Sequence, residues 1–186
     1  MSSRPRAHSI RASSPRSWHR DRRGLTVRSR TSIDVAAPPA LLFALARDVT
    51  RWPQLLPHYV RVDVEERVGE AVIARMVARR SLVPLLGLGL PVAWRSRAWS
   101  EPESLRLRFV HRGGATNGMD VTWRIEPTPE GTHVEIEHDF RPRLRPWAHV
   151  VDVLFTRPIS RRTLASFKAI AEAVESAGTQ PTNPLV

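Results

Sequence analysis

Two histidines fall where alternating strands would turn them inward. Across residues 105–140 apolar and polar side chains alternate, the repeat of strands with one buried face. Leu105, Leu107, Phe109 and His111 share one side of their strand. Met119, Val121, Trp123 and Ile125 do so on the next, and Val134, Ile136, His138 and Phe140 on the last. Asp120, Arg124, Glu126, Glu135, Glu137 and Asp139 take the opposite sides, so the apolar sides must face the core. An imidazole on such a face must find a partner or cost stability. His138 therefore has two readings: an acid or base working near neutral pH, or a core histidine whose hydrogen bonds are met. His111 lies nearer a strand end, which favours the structural reading. His58 precedes a strand and is expected at the surface. An apolar wall with a few convergent polar groups is the usual form of a small-molecule site.

Other chemistries lack their residues. The chain has no cysteine, which excludes disulfides, thiol catalysis and thiolate metal sites. It has no Gly-x-Ser-x-Gly, no glycine-rich phosphate loop and no His-Glu-x-x-His. Inward carboxylates are scarce, which argues against a paired-acid mechanism. No metal and no cofactor are expected.

The elements that must position these residues can be read in order. Gly24 to Ala36 alternates, with Val27, Ser29, Thr31, Ile33 and Val35 on one side. Ala37-Pro38-Pro39 stops that strand and opens a helix whose buried side is Leu41, Leu42, Ala44 and Leu45. A second short helical piece spans Thr50 to Leu56. Strands follow at Val60–Arg67, with Val60, Val62 and Val64 inward, and at Ala71–Arg80, with Val72, Ala74, Met76 and Ala78 inward. The stretch Ser81–Pro91, apolar and rich in glycine and proline, reads as a loop or lid. Val92–Ser100 resumes the sheet before the three strands described above.

The last element is the longest. Between Pro146 and Ala177, residues Ile159, Leu164, Phe167, Ile170, Ala171 and Val174 recur near a 3.6-residue period. Trp147, Val150, Val151, Leu154 and Phe155 continue the pattern upstream. Pro158 must kink or restart this helix, and Gly178 suits a position just past its end. An antiparallel sheet of about seven strands with a helix on one face is an α+β fold.

The 186 residues carry a formal charge of +11. Residues 1–23 hold seven arginines and one acid, and are expected to form a basic disordered tail. One domain then spans residues 24–177, and residues 178–186 form a second disordered tail. Only Trp18 interleaves the arginines, so nucleic acid is not an expected partner. No apolar run follows the basic start, and residues 82–94 are too short and broken to span a bilayer. A cytoplasmic location is expected.

The motifs also resemble a known superfamily. Ala37-Pro38-Pro39, Asp48-Val49-Thr50-Arg51-Trp52-Pro53, Leu56-Pro57, Trp94-Arg95-Ser96, Gly118-Met119-Asp120-Val121-Thr122-Trp123 and His138-Asp139-Phe140 spread over residues 26–176. Their order resembles START-like (SRPBCC) proteins, with the polyketide cyclase/dehydrase and coenzyme-Q-binding branches nearest. The resemblance implies a helix-grip fold with a hydrophobic cavity between the sheet and the C-terminal helix. In aromatase/cyclase members that cavity binds a poly-β-ketone chain and directs its folding and dehydration. A carrier of lipid or quinone is the alternative it leaves open.

The same resemblance implies site residues. Tyr59 matches the tyrosine after the Trp-Pro motif, and with His138 could shuttle protons. The cavity arginine of the Trp-x-Ser strand would stand at Ala98, and Arg97 is one residue away. One residue of offset turns a side chain to the other face, so Arg97 reaches the cavity only through a bulge and otherwise lies in solvent. Trp52, Met76, Trp94, Phe109, His111, Met119, Trp123, Phe140 and Phe167 are the expected ligand-binding set. A hydrophobic small molecule is the implied partner, with a polyketide synthase or a membrane surface as further candidates. The sequence leaves the oligomeric state open.

Overall fold

The computed structural model of the chain describes residues 27–83, 88–140 and 149–179. The residues assigned above to two disordered tails lie outside that description, apart from Gly178 and Thr179. Seven strands form one antiparallel sheet: β1 (Val27–Val35), β2 (Tyr59–Val68), β3 (Ala71–Val83), β4 (Leu88–Glu101), β5 (Arg106–Arg112), β6 (Met119–Thr128) and β7 (Gly131–Phe140). The order across the sheet is β1-β7-β6-β5-β4-β3-β2. Successive strands are neighbours from β2 to β7, and β1 closes onto β7. Helix α1 (Pro39–Arg47), a 3₁₀ turn at Val49–Arg51 and helix α2 (Trp52–Leu55) carry the chain from one edge strand to the other. Helix α3 (Arg157–Thr179) lies on the inner face, giving the helix-grip architecture.

Alternation holds through β6 and β7, where every second residue is buried: Met119, Val121, Trp123 and Ile125, then Val134, Ile136, His138 and Phe140. Val121 pairs with His138 and Trp123 with Ile136, so the two inner rows stand side by side. Helix α3 is tied to β1 by polar contacts. Lys168 Nζ donates to the Asp34 carbonyl at 2.6 Å, and Glu172 accepts from the Ala36 amide at 2.9 Å. Gly131, at φ 140°, lies so near the β1–α1 junction that an added Cβ would sit 2.2 Å from the Val35 carbonyl oxygen. Only glycine allows that approach.

Several expectations change. The buried side of α1 is Leu42, Phe43 and Ala46, while Ala44 is exposed. In β2, irregular pairing between Tyr59 and Arg61 turns Tyr59 inward and leaves Val60 in solvent. Val64 is exposed too, beside a second irregularity. An extra residue in a strand shifts the phase of all that precedes it. Ser81–Pro91 is no free loop, because Ser81 pairs with Gly89 and Arg79 with Pro91, extending the β3–β4 hairpin. Residues 84–87 lie outside the described residues. Val174 is exposed, and α3 continues through Gly178 to Thr179.

The proline in the long helix is accommodated by a wide turn. Residues Asp152–Thr156 form a π-helical turn, and the Arg157 amide bonds to the Asp152 carbonyl. Pro158 has no amide to offer, and the wide turn removes its ring from conflict with the preceding carbonyls. The outer sheet face is divided in charge. Near β1 and β7, Arg28, Arg30 and Arg124 pair with Glu135, Glu137 and Asp139. Across β3, β4 and β5, Arg75, Arg95 and Arg112 stand directly opposite one another.

Candidate functional site

Between the inner face of the sheet and α3 is a cavity of about 70 Å³. The sheet side of its wall is mostly aromatic. Trp52, from α2, joins that aromatic group, with ring centroids 5.0 Å from Tyr59 and 5.6 Å from both Phe109 and Trp123. Tyr59 reaches Trp94 at 6.0 Å, and Trp94 reaches His111 at 5.7 Å. Contacts of this kind are worth about 0.5–1.5 kcal/mol each beyond area burial. Phe155, Thr156, Ile159, Ser160 and Thr163 supply the helical side. No charged residue lines the cavity among those described.

The wall is apolar except for a few groups whose hydrogen bonds are not met within the protein. His111 Nδ1, His138 Nδ1, Trp94 Nε1 and Thr116 Oγ1 are all enclosed without a protein partner. Buried polar atoms are almost always paired, so four such atoms around one hollow suit a guest with donors and acceptors of its own. Asp152 comes close from the π turn. One carboxylate oxygen is bound to Arg157 Nε at 2.7 Å, and Oδ1 is buried without a partner. Its charge acts on His138. Nothing in the sequence reading marked Asp152, a lone acid inside an apolar helical run.

Burial lowers the pKa of His138 from 6.5 to about 4, and the Asp152 carboxylate opposes the shift. His111 falls to about 3, first through burial and then through the neighbouring His138. Burial pushes the Tyr59 phenol well up, against a hydrogen bond with Thr163. At neutral pH the site thus offers two uncharged imidazoles able to accept a proton and one phenol able to donate.

His58 overturns its surface assignment. It is 1% exposed, and its Nε2 lies 2.8 Å from Thr163 Oγ1. Burial, then the Arg162 charge, lowers its pKa to about 4. The backbone turn at Leu56–Tyr59 folds it beneath α3, a placement no local pattern announces.

The other site candidates separate cleanly. Tyr59, His138, Trp52, Met76, Trp94, Phe109, His111, Met119 and Trp123 all line the cavity. Phe140 and Phe167 do not. Phe140 is buried opposite Met119 and Val27, and Phe167 packs behind the wall, 5.8 Å from Trp123. Arg97 is exposed on the outer face, paired with Ile73 and Val110, its guanidinium 5.7 Å from the Trp99 ring. The pairing around it is regular, so no bulge redirects it, and Ala98 occupies the inward position. Among the described residues no cluster of side chains could hold a metal ion, and no helix is long and apolar enough to cross a membrane.

Three histidines buried as neutral groups have a measurable consequence. Each binds its proton more weakly folded than unfolded, so unfolding takes up protons from pH 6.5 down to about 4 for His58 and His138 and about 3 for His111. Stability is fully present above pH 6.5 and is lost as pH falls through that window. We expect urea melts from pH 7 to 4 to lose on the order of 5–10 kcal/mol, with two to three protons bound on unfolding. A flat profile above pH 5 would exclude neutral burial.

Comparison with known proteins agrees with this geometry. The family model described as polyketide cyclase / dehydrase and lipid transport matches residues 26–172. A candidate polyketide cyclase of Streptomyces cyaneus is 29% identical over 145 residues, covering 77% of this chain and 90% of its own length. The crystal structure of the Zhui aromatase/cyclase from Streptomyces sp. R1128 superposes with a TM-score of 0.69 at 17% identity, over 83% of this chain and 99% of that one. A START superfamily protein from Mycobacterium smegmatis gives 0.58 at 14% identity, over 80% and 98%.

Proposed function

The chain belongs to the polyketide cyclase/dehydrase and lipid transport family, and we propose on that basis that it closes and dehydrates a ring in a flexible poly-β-ketone held in the cavity. The supporting observation is the set of unpartnered polar atoms on an otherwise apolar wall. Carbonyl and enol oxygens spaced along an oily chain have the matching chemistry. The first contribution is confinement, since holding two ends of one chain at bonding distance removes much of the entropic barrier.

The residues then divide the proton transfers. His138, neutral and beside Asp152, takes a proton from a carbon between two carbonyls, leaving an enolate. The enolate carbon attacks a second carbonyl carbon, and a carbon–carbon bond forms. The oxygen of that carbonyl takes a proton from the Tyr59 hydroxyl, and the His138 imidazolium restores the phenol. Dehydration repeats the exchange: His138 removes the adjacent carbon-bound proton and returns it to the departing hydroxide, giving an alkene and water. In this reading His111 and Thr116 hold further oxygens of the guest.

A second reading, a carrier that binds an apolar ligand without reaction, draws on one observation. No arginine lines the cavity among the described residues, so none of these sets a cation beside enolate charge. The two readings part in one experiment. The protein is incubated with a synthetic linear poly-β-ketone thioester, and products are analysed by mass and by aromatic absorbance. Loss of water with ring formation, faster than in buffer, is expected. Recovery of unchanged substrate from a tight complex would establish the carrier instead.

A further inference from the structure

His58 is buried polar chemistry that the steps above do not use. Its side chain is enclosed between the Leu56–Tyr59 turn and α3, and among the described residues its only hydrogen bond reaches Thr163, 105 residues away in sequence. Its carbonyl is pinned as well, accepting from the Arg79 amide at 2.7 Å. An aliphatic side chain would fill this space without the cost of burying an imidazole. Thr163 is itself 1% exposed and lines the cavity. A threonine within a helix commonly bonds back to its own preceding turn; this hydroxyl instead reaches across to His58, and it shares the cavity wall with the Tyr59 phenol, on whose titration it acts.

We propose that His58 is a positioning residue: through Thr163 it fixes which way the Tyr59 hydroxyl proton points, aiming it into the cavity. This rests on the reading that Tyr59 touches the guest. In two directions each hydroxyl of the row His58–Thr163–Tyr59 both accepts and donates along it. Where Nε2 accepts, Thr163 donates to His58 and the phenol proton turns toward Thr163, away from the guest. Where Nε2–H donates, Thr163 donates to the phenol oxygen and the phenol proton is left for the guest. The environment of Nδ1 selects between them. That atom is buried without a protein partner, and a buried donor with nothing to bond is the rarer and costlier state. The proton therefore belongs on Nε2, and the row runs outward from His58 to Thr163 to Tyr59 to the cavity. No proton needs to leave His58 for this, because the imidazole sets a direction and transfers nothing.

The chain has one tyrosine, so every phenol signal reports Tyr59 alone. The first measurement is nitrogen-15 NMR of the unmutated protein at neutral pH. A protonated Nε2 on His58 is expected, and a protonated Nδ1 overturns the proposal. The second follows Tyr59 through a carbon-13 label at Cζ. Thr163→Val should displace its resonance, and Thr163→Ser should restore it. His58→Phe should displace it in the same direction, His58→Gln should hold it near the original position, and His58→Phe with Thr163→Val should add nothing further. A Tyr59 resonance that ignores His58→Phe while responding to Thr163→Val would end the row at Thr163 and refute the role of His58. These readouts need no substrate, so they stand or fall apart from the cyclase reading. With a poly-β-ketone thioester in hand, His58→Phe should lower kcat about tenfold and leave KM within twofold.

Discussion

Replacing His138 by glutamine is expected to slow ring closure by roughly 10²–10⁴-fold, the usual worth of a positioned general base. Glutamine keeps a hydrogen-bonding side chain of similar reach but cannot take up the carbon-bound proton. His138 sits between Ser29 on β1 and Val121 on β6, 8% exposed, on a strand packed from both sides. The exchange should therefore leave guest binding within a few-fold, read as quenching of the cavity tryptophans. The ratio of the two effects is the informative quantity. A large loss of rate with unchanged affinity marks a group that acts only in the transition state. An equal loss in both would return His138 to the role of a satisfied core residue. Unchanged rate would remove it from the chemistry altogether. Tyr59→Phe provides the complement, since it deletes the donor and preserves the ring packed 5.0 Å from Trp52.

The largest stability effect is expected at Trp52. Trp52→Ala should cost about 3–5 kcal/mol, the range for truncating a large buried aromatic. The indole is 2% exposed and meets Tyr59, Phe109, Trp123 and Phe167 within 6.1 Å. Its Nε1 also donates to the Ala46 carbonyl at 3.0 Å, the bond that fixes α1 against α2. That acceptor would be left buried and unmet, which adds to the cavity cost. For a chain of this size the loss corresponds to roughly 6–20 °C in Tm. A calorimetric shift below about 3 °C would show that the aromatic wall is not shared structure.

What the sequence revealed and what it hid follow from the range of the forces involved. Period-two alternation is a local property, so β5, β6 and β7 and their inner rows were legible, and with them Phe109, Trp123 and His138. The phase of β2 was not, because its irregular pairing shows only against β3. Val60 and Val64 look as inward as Val62 on composition alone. His58 was hidden for the same reason: its burial depends on a helix more than a hundred residues later. The Val150–Phe155 stretch misled in another way. A 3.6-residue period predicts Val150 and Leu154 inside, yet both are 38% exposed, while Val151 and Thr156, five apart, are buried. Five is the spacing of a π turn, and no apolar pattern read at α-helical period can find it. That error also concealed Asp152, the acid that the wide turn rotates toward His138.

The same wide turn bears on how much the hollow can hold. At about 70 Å³ it admits a compact portion of a guest and not the full length of an extended polyketone. A π turn stores one residue of slack within an otherwise regular rod. Pro158 needs that turn open, so Phe155 and Thr156 are held in the wall and set what the hollow admits.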